Sequence, residues 1–119
     1  MIKARIRYCP GGYHVFLYLD IGEDRYMIDL PKKNKIVKRV KNVNTLISRI
    51  PLFGVNDKYK IDPEKETYPR NSRFYDIQKL DWKTLVQKLN NLINLTSSYC
   101  NHELTKELIY KIKKHEKNI

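Results

Sequence analysis

Much that would announce a function is scarce in this chain. It has two cysteines, Cys9 and Cys100, far apart and without metal-ligand spacing to the three histidines His14, His102 and His115. That excludes a disulfide-dense scaffold and a zinc module, and we read both thiols as reduced in a cytoplasmic setting. Glycine occurs four times, and Pro10-Gly11-Gly12 lacks the Lys and Ser or Thr that complete a phosphate-binding loop. No run of about 18 apolar residues could span a bilayer. The N-terminus, Met-Ile-Lys-Ala-Arg-Ile-Arg, alternates charge with apolar side chains where a signal peptide needs an apolar core. No cofactor and no membrane partner are expected.

Acidic residues are the other shortage: 13 Asp and Glu face 24 Lys and Arg, a formal net charge of +11. Such a surplus attracts phosphate backbones through counterion release, and acidic protein surfaces through the same field. Lys outnumbers Arg 17 to 7, and Lys, Ile and Asn run high, a bias that AT-rich coding also produces. Charge alone therefore reports attraction and not purpose. The 119 residues, 41% of them hydrophobic, fit one domain that buries its own core.

Residues 3–8 alternate strictly, with Ala4, Ile6 and Tyr8 on one side and Lys3, Arg5 and Arg7 on the other, the period of a half-buried strand. Turn chemistry at Cys9-Pro10-Gly11-Gly12 leads into a second strand over 13–20. A second turn at Ile21-Gly22-Glu23-Asp24 precedes a third strand over 25–30, ended by Pro31. With four-residue loops, Tyr8 faces Tyr13, Ile6 faces Val15 and Ala4 faces Leu17. Leu19 then faces Tyr26, Leu17 faces Ile28 and Val15 faces Leu30. Both hairpins put their apolar residues on one shared side, which predicts a three-stranded antiparallel meander.

A fourth short strand can form around 35–40. Asn42 or Asn44 can cap a helix carrying Val43, Leu46, Ile47 and Ile50, stopped by Pro51 and docked on the apolar sheet face. Residues 54–76 are polar, contain Pro63 and Pro69, and read as a long loop that a strand at 58–61 could interrupt. Asp81 and Asn101 are N-cap candidates for two helices with apolar faces Trp82, Leu85, Val86, Leu89, Leu92, Ile93 and Leu104, Leu108, Ile109, Ile112. The expectation is one α+β domain over 1–119: meander plus helix to 53, loop to 76, helical pair from 77. The apolar stripe of the last helix could equally complete a homodimer.

The outer sheet face then carries Lys3, Arg5, Arg7, His14, Phe16, Tyr18, Arg25 and Met27, with Asp20 and Asp29 at its margins. Cations neutralise phosphates and aromatic rings stack on bases, so this face is the candidate nucleic-acid surface. Lys32, Lys33, Lys35, Lys38 and Arg39, within a basic stretch that continues to Lys41, could grip a backbone beside it.

The order basic strand, strand, strand, basic segment and helix, with Val40-Lys41-Asn42-Val43-Asn44-Thr45-Leu46 at the last junction, resembles the three-stranded DNA-binding domains of tyrosine-recombinase arm regions and the plant AP2 type. The likeness covers about fifty residues. It implies an exposed sheet face lying in the major groove, with Arg5, Arg7 and Arg25 on DNA.

Enzymatic readings find less. Tyr110 precedes Lys114 by one helical turn, which resembles the tyrosine motif of rolling-circle initiators, but the His-hydrophobic-His metal pair of those enzymes is absent. Asp62, Glu64 and Glu66 beside Lys65 are carboxylates in a polar stretch. The leading expectation is a non-enzymatic nucleic-acid-binding protein, DNA favoured over RNA, whose role could be regulatory. The alternative is a protein-binding module of the inhibitor or accessory kind that viruses and mobile elements encode, docking an acidic protein surface.

Overall fold

The computed structural model describes residues 2–8, 14–31, 43–49, 54–64, 72–94 and 101–116; the side chains of Tyr8, His14, Pro31, Leu46, Arg49 and Arg73 lie outside this description. The elements are β1 (Lys3–Tyr8), β2 (His14–Ile21), β3 (Asp24–Pro31), α1 (Val43–Arg49), β4 (Gly54–Lys60), β5 (Arg73–Ile77), α2 (Trp82–Ile93) and α3 (His102–His115). The fold is α+β, and its strands form one antiparallel five-stranded sheet in the order β4-β3-β2-β1-β5.

The expected meander is its centre. Leu19 opposes Tyr26, Leu17 opposes Ile28 and Val15 opposes Leu30, in the register read from the pattern. Ile21 pairs with Asp24, so the turn is only Gly22-Glu23, and Gly22 supplies the φ of +61° that such a tight reversal needs. Between β1 and β2 the register differs by two residues: Tyr8 opposes Val15, Ile6 opposes Leu17 and Ala4 opposes Leu19. The connection is thus longer than four residues. A slip of two preserves which side chains face the core, so the face assignment stands.

Residues 54–76 are not a long loop. The strand considered at 58–61 is present, begins earlier and ends at Lys60 as β4, and all but the last residue of β5 also falls within the stretch. β4 lies against β3 with a bulge: Ile28 opposes Val55 and Met27 opposes Asp57, leaving Asn56 as the extra residue. Gly54 opens the strand at φ +119°, a value that favours glycine. β5 pairs with the other side of β1, so β1 is not an edge strand. The strand considered at 35–40 lies outside the described residues.

The core forms between one sheet face and the helices. Ile6, Leu17, Leu19, Ile28 and Leu30 meet Val43 and Ile47 of α1, Leu85 and Leu89 of α2, and Leu108 and Ile112 of α3. α1 docks on the apolar face as its pattern required. Both predicted caps form: Asp81 accepts from the Thr84 backbone N–H at 3.1 Å and its hydroxyl at 2.7 Å, and Asn101 accepts from the Leu104 N–H at 3.1 Å. Asn44 ties α1 to the start of α2. Its Oδ1 accepts from the Asp81 N–H and its Nδ2 donates to the Lys79 carbonyl, each at 2.7 Å. No helix among the described residues is long and apolar enough to cross a membrane.

Candidate nucleic-acid interface

With the helices on the inner face, the register sorts the outer side chains into three rows. Across the sheet run Asp29, Phe16, Arg7 and Phe74; then Asp57, Met27, Tyr18, Arg5 and Asp76; then Tyr59, Arg25, Asp20 and Lys3. Four cations are matched by four carboxylates, so the described part of this face has no net charge. Two of the carboxylates, Asp20 and Asp76, lie on the strands beside β1, opposite Lys3 and Arg5. β1 presents only cations, Lys3, Arg5 and Arg7, while Asp29 and Asp57 stand two and three strands away, about 10 and 14 Å.

The three arginines are held in different ways. Arg25 is 3% exposed and grips Asp20 bidentately, Nε to Oδ1 at 2.7 Å and Nη2 to Oδ2 at 2.9 Å, with its guanidinium over the Tyr18 ring. This fork-to-carboxylate geometry is what makes burial of the charge tolerable. Arg7 donates from Nη1 to the Tyr18 hydroxyl at 3.0 Å and from Nε to the Ser72 hydroxyl at 3.4 Å, and lies over Phe16. Arg5 rests its guanidinium on Phe74, 5.5 Å from the ring centre. Its Nε is buried and finds no acceptor. Asp76, its cross-strand neighbour, forms no ion pair with it.

This geometry revises the expected contact surface. Tyr18, at 1% exposure, is buried beneath Arg7 and Arg25 and cannot stack on a base, and Arg25 is committed to Asp20. Both drop out as contacts because guanidinium groups satisfy the phenol and cover its ring. Lys3 is exposed, and Arg5, Arg7 and Phe16 are half-buried on one surface as expected. Phe74 on β5 joins them. It was missed because it lay in the stretch read as loop, although Arg-Phe-Tyr-Asp-Ile has the aromatic and branched composition of a strand. His14 begins β2 on the outer side by register, its side chain outside the description, and Lys32, Lys33, Lys35, Lys38 and Arg39 lie outside the described residues.

A second polar cluster lies where α3 meets β3 and β4. Glu107 accepts from the Tyr26 hydroxyl at 2.8 Å and from the Lys58 ammonium at 3.0 and 3.2 Å, while Lys111 reaches Asp24 at 3.4 Å. Both ammonium groups sit over the Tyr26 ring, at 5.8 and 5.6 Å. The hydrogen bond from Lys58, then that from Tyr26, holds the Glu107 carboxyl below its ordinary range. Burial, reinforced by the bond to Glu107, pushes the Tyr26 phenol up, and the bond to Glu107 also raises Lys58. Every donor here has an acceptor within the protein, so the cluster reads as a fastening of α3 and not as a reactive site. Tyr110 is 66% exposed beside it, at the rim of an open cleft. Among the described residues no group of three metal-ligating side chains converges. Comparison with known proteins found no matching family model, no matching curated protein and no matching solved structure.

Proposed function

We propose that the protein binds nucleic acid through the β1 side of its outer sheet face. The observation that carries this reading is the line of Lys3, Arg5 and Arg7 on β1, flanked by Phe16 on β2 and Phe74 on β5. Phosphates are met by the cations while rings and guanidinium planes offer stacking surfaces to bases. Direction adds support. Arg7 stands toward the sheet end where Tyr8, His14, Pro31 and Arg73 pair, and Pro31 is where the chain enters residues 32–41, which hold six cations and no acid. At the opposite end Asp20, Glu23 and Asp24 stand with Lys3 and Arg25, so cations and carboxylates there are mixed.

The test is a fluorescence-anisotropy titration with nucleic acid between about 50 and 200 mM salt. Affinity should fall steeply with salt, and replacing the six cations of 32–41 with glutamine should flatten that slope. Binding that is absent at the lower salt, or a slope unaffected by both the 32–41 replacement and Arg7→Gln, would remove the reading. The balanced charge of the whole face favours a protein partner as the second reading. It gains support if a partner survives nuclease treatment in pull-downs and is lost with Arg7→Gln.

A further inference from the structure

We infer that the nucleic acid is a single strand of DNA lying along β1, with Arg5 as its central phosphate contact; this rests on the function proposed above. The first argument is width. A two- or three-stranded ribbon can enter a major groove about 12 Å wide. This sheet has five strands, and four spacings of about 4.8 Å put its outer strands about 19 Å apart. β4 and β5 therefore stand between β1 and any groove wall, and the guanidinium groups of Arg5 and Arg7 cannot descend to base edges. A duplex resting on the face would touch it only along its phosphate ridges. A single strand can lie flat, with bases against the guanidinium planes that Arg5 and Arg7 rest on Phe74 and Phe16.

The second argument is the state of Arg5. Arg7 and Arg25 have hydrogen-bond acceptors within the protein, whereas the buried Nε of Arg5 has none and its guanidinium forms no ion pair. No described carboxylate neutralises this half-buried cation, so an anionic oxygen brought to the accessible part of its side chain meets a charge not already committed, as that of Arg25 is. The third is spacing. Lys3, Arg5 and Arg7 recur every second residue, about 6.7 Å apart along β1. Successive phosphates in an extended single strand follow a similar repeat. The C2′-endo sugar of DNA holds them farther apart than the C3′-endo sugar of RNA, and the longer interval matches the strand. Asp76, across from Arg5 and exposed, is the one carboxylate beside this line that no described cation pairs.

The experiment compares a mixed-sequence single-stranded DNA, its duplex and the equivalent RNA in one anisotropy series, with melting temperature recorded for each variant. Single-stranded DNA should bind most tightly. Arg5→Gln should weaken it about tenfold or more, as loss of a charge-assisted contact does, and reduce the salt slope by about 0.7. Asp76→Asn should strengthen it about two- to threefold by removing a unit charge close to the backbone. Should Arg5→Gln unfold the protein, Asp76→Asn still decides the placement, since that side chain is exposed. A tighter duplex, or RNA bound better than DNA, would overturn the inference while leaving nucleic-acid binding in place. Single-strand binding indifferent to both variants would overturn the role of Arg5. Failure of all three nucleic acids to bind would overturn the functional reading and this inference with it.

Discussion

Glu107→Ala is the substitution whose cost can be followed group by group. The wild-type carboxylate takes the Tyr26 hydroxyl at 2.8 Å, and Tyr26 is 0% exposed. Truncation leaves that hydroxyl buried with no acceptor, which costs about 1–3 kcal/mol. The loss of Lys58 from the same carboxylate adds little, because both groups are partly exposed and water solvates what is released. A domain of this size loses roughly 3–6 °C in Tm per kcal/mol, so a drop of about 8 °C is expected by thermal denaturation. Glu107→Gln retains a carbonyl oxygen for Tyr26 and should lose less. Tyr26→Phe removes the donor, so Tyr26→Phe with Glu107→Ala should cost clearly less than the two single changes added together. The pH dependence follows from the same bonds. Glu107 titrates lower in the folded state than its ordinary 4.5, so its contribution is complete above that value and disappears as pH falls through the folded value. The Glu107→Gln variant should lack that part of the acid limb. Tyr26 and Lys58 are both raised, so their contributions fade only as pH climbs past their ordinary values near 10. An unchanged Tm in Glu107→Ala, or strict additivity in the double variant, would refute the reasoning.

Other perturbations separate what holds the sheet from what it offers to a partner. Asp20→Ala should destabilise by about 3–5 kcal/mol in urea unfolding, because it removes the carboxylate that pairs bidentately with the buried guanidinium of Arg25; a loss below about 1 kcal/mol would show that water or the other contacts of Arg25 compensate. Asp81→Ala removes the cap of α2 and should cost about 1 kcal/mol, with the loss confined to pH values at which the depressed Asp81 carboxyl is ionised. Gly22→Ala should cost about 1 kcal/mol through the positive φ alone, since a Cβ there meets no atom within 4 Å. Equal stability would mean that the two-residue turn has rearranged.

The parts of the fold that could be read are those in which one residue type repeats at a fixed period. The β2–β3 register followed from alternation and from Gly22, and both C-terminal helices from their apolar stripes and from Asp81 and Asn101. β4 could not be read that way. Its bulge at Asn56 breaks the period, and its inward positions beyond the bulge are Lys58 and Lys60, where a sequence reader expects apolar residues. Lys58 faces inward because Glu107, forty-nine residues away, is there to receive it. The outer face was legible as a set of residues but not as a state. Nothing local to Tyr18 says that it is buried, because the groups burying it, Arg7 and Arg25, come from the neighbouring strands. Nor could alternation on β1 reveal that β5 would pair beside it and bring Phe74 and Asp76 against Arg5.

The measurement that tests the central claim most directly is a nuclear magnetic resonance titration of the labelled protein with a short single-stranded DNA. The account predicts shift changes concentrated at Lys3, Arg5, Arg7, Phe16 and Phe74, with the core residues of α2 and α3 unmoved. Changes confined to the lysine-bearing outer surfaces of α2 and α3, or no saturable change at near-physiological salt, would contradict it.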